Sequence, residues 1–178
     1  MSLNISPETK MGFVTNWDVE KHRKGEIETY LVRDKETDEV SRLSKDNFIK
    51  FMNEMQYMVS SNGVLYSSTK TGIIPEVLDR WFAERVEYKN LMKKYKNEGN
   101  TELAEFYDRR QHIQKIFLNS LYGVLGLPIF RFFDIDNALA VTASGQDVIK
   151  KSAAFANQLY QNKLNTQEDY CTYIDTDS

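Results

Sequence analysis

The sequence predicts an α+β fold, and three observations carry that prediction. Short runs of β-forming residues separated by turn signals lie between Glu26 and Tyr66. A stretch free of Gly and Pro from Glu76 to Lys96 is spaced as a long helix, and a second follows the break at Glu98-Gly99-Asn100. Tyr170 to Ile174 is again rich in β-formers. The 178 residues suffice for one domain with a real core, or for pieces of two.

Residues 1–24 are polar and mixed, with little periodicity, and no element is predicted there. Gly25 is a break before the next element. In Glu26–Arg33 the residues Ile27, Tyr30 and Val32 alternate loosely with charges, which reads as a strand. Asp34–Asp38 is a charged turn, and Val40–Leu43 a short partner strand. Ser44 is a good N-cap for an amphipathic helix through Asn47–Met52. Tyr57–Val59 and Val64–Tyr66 flank Asn62-Gly63, a strong hairpin signal.

Pro75 suits the first turn of the helix that carries Val77, Leu78, Trp81, Phe82, Leu91 and Met92. Gly99 ends that helix, and Thr101 caps a second one running to about Tyr122. Two long helices joined by so few residues are antiparallel neighbours. Gly123 and Gly126-Leu127-Pro128 end the second limb. Ile129–Phe133 is a short aromatic strand or turn, and Asp134 or Asp136 caps a helix over Asn137–Gln161. Gly145 in its middle marks close packing against a strand. After a polar loop, the strand at Tyr170–Ile174 leads into Asp175-Thr176-Asp177-Ser178.

Composition narrows the function classes. Hydrophobic residues make up 41% and charged residues 28%, as in an ordinary soluble domain. No apolar run approaches the ~20 residues a membrane helix needs, so no membrane partner is expected. The start lacks the basic-then-apolar pattern of a secretory signal. Cys171 is the only cysteine, which rules out an intrachain disulfide and fits a small apolar residue in a buried strand. Two His and no clustered Cys argue against zinc. No Gly-rich phosphate loop is present, which argues against a P-loop or dinucleotide enzyme. The net charge of −3 argues against indiscriminate nucleic-acid binding but leaves room for a local basic surface. Asp79 to Lys115 holds nine basic and seven acidic side chains, an excess too slight to decide the matter.

Chemistry concentrates in two strings. On a helix Lys115, Asn119 and Tyr122 share one stripe, with Ile113, Phe117 and Val124 on the opposite one facing a core. A cation, an amide and a flat ring in a row match the needs of a nucleotide; they also fit an ordinary amphipathic helix with Lys outside and Tyr half-buried. Arg85 and Lys89, four apart on the first limb, share a face and with Lys115 can converge on a polyanion; equally, they can pair with neighbouring Glu or lie in water. Asp175 and Asp177, two apart in extended backbone, point the same way and can share a hard divalent cation, though Asp and Ser also favour turns for their own reasons.

Taken together, Lys115-x-x-x-Asn119-Ser120-x-Tyr122-Gly123 and Tyr173-x-Asp175-Thr176-Asp177-Ser178 resemble the fingers motif (motif B) and palm motif (motif C) of the family B DNA polymerases. Their order and separation match the family, and the joint occurrence is far more specific than either string. Asn4-Ile5-Ser6-Pro7-Glu8-Thr9 is similar to the segment just after motif A in T-even-like phage polymerases, and Gly63–Lys89 to their approach to the fingers. The resemblance implies a phage-type source, a mixed palm-side segment over 1–74, a fingers helical hairpin over 75–125, and over 126–178 a partial palm of antiparallel sheet strand and packing helix.

By residue, it implies that Lys115 holds the phosphates of an incoming nucleotide, Arg85 the γ-phosphate and Lys89 a second phosphate. Asn119 then contacts the triphosphate, Tyr122 packs by the nascent base pair, and Gly123 allows close approach. Asp177 ligates Mg²⁺, or Mn²⁺ in its place, with Asp175 a more peripheral acid of the same site. Primer–template DNA, dNTPs and a sliding clamp are the implied partners, in the cytoplasm of a bacterial or phage-infected cell. Motif A, exonuclease and thumb regions are absent from the sequence, so the chain is expected to be a piece inactive by itself, with Met1–Leu3 a leader. Two other readings are an Asp-x-Asp glycosyltransferase and a non-catalytic interaction fragment.

Overall fold

The structure is a computed structural model that describes residues 3–173. Its first part is an antiparallel sheet of five strands: β1 (Lys10–Val14), β2 (Thr29–Asp34), β3 (Val40–Ser44), β4 (Tyr57–Val59) and β5 (Val64–Ser67), in spatial order β3-β2-β1-β5-β4. Three helices of 25 to 30 residues follow: α3 (Ile73–Asn97), α4 (Thr101–Leu125) and α5 (Ile135–Leu164). The predicted α+β class is the one observed.

The sheet has a core on each face, as alternation requires. On one side Val14, Tyr30, Val32 and Leu65 meet Phe48 of α2 (Lys45–Glu54), whose ring stacks on Tyr30 at 4.0 Å between centroids. On the other side Val64 and Tyr66 meet Ala140 of α5, with Ile5 and Phe13 beside them. Asn62-Gly63 turns the β4–β5 hairpin; Gly63 adopts φ +87°, and a Cβ there would lie 2.7 Å from Trp17 Cβ.

Two elements within residues 1–24 were not anticipated. One is α1 (Val19–Lys24), capped by Asp18 and ended by Gly25 in the left-handed region. The other is β1, which lies at the centre of the sheet. Its sequence, Lys10-Met11-Gly12-Phe13-Val14, hides the alternation because the strand shifts register against β5 between Lys10 and Gly12. Uninterrupted alternation would put Lys10 on the side of Val14. The shift puts it opposite Tyr66, over the Phe13 ring and against α5. Gly12 is required by crowding, since a Cβ would meet Arg33 O at 2.3 Å.

The helical hairpin is antiparallel. The α3 limb begins at Ile73, with Pro75 in its first turn, and Gly99 (φ +74°) forms the link. Asn100, one residue before the expected Thr101, caps α4 by accepting from Leu103 N–H. The α4 limb runs past Gly123 to Leu125. Its inner stripe is Ala104, Tyr107, Gln114, Leu118, Leu121 and Leu125; of the expected Ile113, Phe117 and Val124 only Val124 is half-buried, while Ile113 and Phe117 are about half exposed. A helix with apolar residues on both flanks leaves the choice of inner stripe to its partner, and α3 takes the stripe that stacks Tyr95 on Tyr107 at 5.6 Å.

Three further expectations are corrected. Gly145 packs against nothing within 4 Å of a Cβ position, because α5 meets the sheet through Asn137 and Ala140 instead. Residues 170–173 form no strand. Tyr170 N–H donates to Asn157 Oδ1 and its ring lies 5.8 Å from that of Tyr160, so the segment folds back on α5 rather than pairing along an edge. Cys171 is accordingly half-buried, not in a sheet core.

Candidate functional site

The residues singled out on the two helices are placed by helix packing. Trp81 meets Phe117 at 5.6 Å, and Gln114 Nε2 donates to the Glu84 carboxylate. These pairs set the level of one limb against the other. Each residue turns about 100° from the last and rises 1.5 Å. Lys89 follows the inward Tyr88 by one residue, and Lys115 follows the inward Gln114 by one residue. Facing antiparallel helices wind in opposite senses when viewed along one direction, so both lysines emerge on the same flank. Arg85 and Asn119, each four residues from one of them, share that flank. Lys115 is level with about residue 83, so Arg85 lies roughly 3 Å and Lys89 roughly 9 Å from it along the axis, toward the tip.

Their environments differ. Lys89, Lys115 and Asn119 are exposed, whereas Arg85 is half-buried in the seam with its Nε enclosed. Among the described residues none of the four has a hydrogen-bond or ion-pair partner. Some cations elsewhere in the chain are paired, Lys10 with Asp134 and Asp136, Arg23 with Glu20 and Asp147, and Lys151 with Asp147. Leaving a guanidinium nitrogen enclosed and unpaired costs about 1–3 kcal/mol. The flank therefore holds three cations without an ion pair along the seam, with the Asp108 carboxylate on the same side nearer the tip, and can attract a polyanion at its Arg85–Lys115 end.

Tyr122 lies at the base of this flank. Its hydroxyl pairs with Thr142 Oγ1 of α5, and its ring lines an apolar cleft of about 220 Å³ with Ile5, Pro75, Leu78 and Leu121. Thr142 was not anticipated; only the α4–α5 crossing brings it to Tyr122. A Cβ on Gly123 would meet open space, so nothing within 4 Å in the fold itself requires glycine there. Asp175 and Asp177 lie outside the described residues, and so does their placement relative to the cations. Among the described residues no group of three or more His, Cys, Asp or Glu can hold a metal ion.

A second polar cluster joins the sheet to α5. Lys10, 7% exposed, donates to both carboxylate oxygens of Asp134 (3.0 and 2.9 Å) and to Asp136 Oδ2 (2.8 Å). Asp134 also caps α5, accepting from the N–H groups of Asp136 and Asn137. Tyr66 donates to Asn137 Oδ1 at 2.7 Å. Burial, then the charges of Asp134 and Asp136, push the Tyr66 phenol far above its ordinary range, so it serves only as a neutral donor. No helix among the described residues is long and apolar enough to cross a membrane.

Residues 26–178 match the family model for DNA polymerase family B, and the chain belongs to that family. Among relatives, the DNA-directed DNA polymerase of Enterobacteria phage T4 is 31% identical over 173 residues, covering 69% of this chain and 19% of that protein. The DNA polymerase of Choristoneura biennis entomopoxvirus is 37% identical over 109 residues, covering 57% of this chain and 11% of the relative. The chain thus spans a fifth or less of the length of these relatives. A solved family B DNA polymerase from Pyrobaculum calidifontis superposes with a TM-score of 0.52 at 27% identity, covering 58% of this chain and 13% of that one.

Proposed function

We propose that the chain supplies the fingers and part of the palm of a DNA-directed DNA polymerase, working on dNTPs over primer–template DNA. Residues 1–74 are the palm-side segment, 75–125 the fingers hairpin and 126–178 the partial palm. The supporting observation is the shared flank of Arg85, Lys89, Lys115 and Asn119, three cations and an amide without internal partners, on a chain of this family. Lys115 and Arg85 bind the triphosphate and neutralise charge developing on the transferred phosphoryl group, Lys89 holds a second phosphate, and Asn119 orients the chain of phosphates. Tyr122, fixed through Thr142, packs beside the nascent base pair, and the open space at Gly123 admits it.

Asp175 and Asp177 would hold Mg²⁺, or Mn²⁺, which when bound supplies Lewis-acid charge to the same phosphates. The sequence contains no motif A acid, so the 178 residues alone do not extend a primer. Motif A, exonuclease and thumb parts of a parent chain complete the enzyme, a sliding clamp serves it, and its place is the cytoplasm of a bacterial or phage-infected cell.

The test titrates dNTP with Mg²⁺ into the isotope-labelled chain and follows backbone resonances. Shifts should concentrate on Arg85, Lys89, Lys115 and Asn119, and Lys115→Ala should weaken nucleotide binding about tenfold or more, as loss of a charge-assisted hydrogen bond implies. Binding of primer–template should change far less. Equal loss of both, or shifts confined to the sheet, would refute the assignment.

A further inference from the structure

The first turn of α3 has no cap of its own. Its N-cap residue is Gly72, which has no side chain to offer, and a Cβ there would lie 2.7 Å from Ser6 Cβ. The capping groups come from more than sixty residues away. Asn4 Oδ1 accepts from Gly72 N–H at 2.8 Å, and Glu8 Oε1 accepts from Ile73 N–H at 2.5 Å. Ser6 Oγ donates to Glu8 Oε2 at 2.6 Å and lies 3.4 Å from the N–H of Ile74. Asn4 Nδ2 donates to Ser67 O and Lys70 O, holding both ends of the link between β5 and α3. Asn4 and Ser6 are buried, and Asn4 is held at φ +52°, a conformation that its two-sided bonding explains.

Two residues further on, the same segment supplies Lys10, which grips the capping carboxylate of α5. One stretch, Asn4 to Lys10, therefore fixes the starting points of the two long helices on either side of α4. A limb about 37 Å long, the rise of 25 residues, magnifies any loosening at its root. The negative charge of Glu8 also opposes the positive end of the α3 dipole.

We infer that Glu8, backed by Asn4 and Ser6, is a positioning residue: it sets the tilt of the α3 limb and hence where Arg85 and Lys89 meet a nucleotide's phosphates. This rests on the reading of the hairpin flank as the triphosphate site. Glu8 lies roughly a dozen residues of helix from Arg85 and acts only through the helix.

The test compares the wild-type chain with Glu8→Gln and Glu8→Ala. Amide exchange at Gly72 and Ile73 should quicken about fivefold in Glu8→Ala, the factor that matches loss of an ordinary helix cap, and less in Glu8→Gln. Spin labels at Asn97→Cys and Glu39→Cys, in a Cys171→Ser background, read the distance from hairpin tip to sheet. That distance distribution should broaden in Glu8→Ala while the melting of the sheet core stays in place, and nucleotide affinity should fall at least threefold. Faster exchange with an unchanged distance distribution would mean a local cap only and overturns the inference, as does unchanged exchange. So does a broadened distribution with unchanged affinity. Should Glu8→Ala not fold, Glu8→Gln and Ser6→Ala carry the same comparison. Exchange and distance need no nucleotide, so a wild-type chain that binds none sinks the triphosphate reading and not the anchor.

Discussion

Replacing Lys10 by Met tests the joint between sheet and α5. The ammonium is 7% exposed and lies within 3.0 Å of three carboxylate oxygens. Met keeps the unbranched stem and its packing on Phe13 but removes the charge. Breaking a buried pair by deleting one partner costs about 3–5 kcal/mol, because the other charge is stranded. Two features reduce that here: Asp136 is more than a third exposed, so water screens it, and Asp134 keeps two helix N–H donors. The expected loss is therefore about 2–3 kcal/mol. For a chain of this size each kcal/mol moves the midpoint about 2–4 °C, giving a Tm lower by roughly 4–12 °C. Urea unfolding of Lys10→Met, Asp136→Asn and the double variant measures both the loss and the coupling. A loss under about 1 kcal/mol, or strict additivity of the two changes, would refute the view that the shifted strand delivers Lys10 as the clamp of α5.

Other outcomes follow from the same structure. Tyr66→Phe leaves Asn137 Oδ1 without its donor in a fully buried site and should lower stability by about 1–3 kcal/mol, read by urea unfolding. Gly63→Ala must hold φ +87° and push against Trp17, so a loss of about 2 kcal/mol is expected by the same measurement. Asp147 is kept below its ordinary value of 3.8 first by the Arg23 hydrogen bond, with Lys151 adding to it. A carboxyl depressed on folding adds stability that is full above its unfolded value and is lost as pH falls toward the folded one. The urea midpoint should therefore drop between pH 5 and pH 3, and Arg23→Gln should flatten that drop; an equal slope in both proteins counts against the pair.

Between Glu26 and Leu164 the types of the elements and most of their limits were readable from residues alone, because those rest on local chemistry. Asn62-Gly63 dictates a hairpin whatever surrounds it, and a run without Gly or Pro ending at Gly99 dictates a helix that stops there. The string from Lys115 to Gly123 was legible for the same reason: helical spacing alone fixes which of its side chains lie together. Which stripe of α4 turns inward was not legible, since Ile113 and Phe117 are as apolar as Leu118 and Leu121, and only the fit of Tyr107 against Tyr88 and Tyr95 decides. Nor was β1, whose register shift moves Lys10 to the face of Tyr66 and so pairs it with acids 124 and 126 residues away. The trans cap of α3 was hidden in the same manner: Asn4, Ser6 and Glu8 belong to a polar, mixed stretch without periodicity until the chain returns to place Gly72 and Ile73 against them. Local propensity is written within a few residues of itself, whereas a partner across the sheet or the seam exists only once the chain has closed upon it.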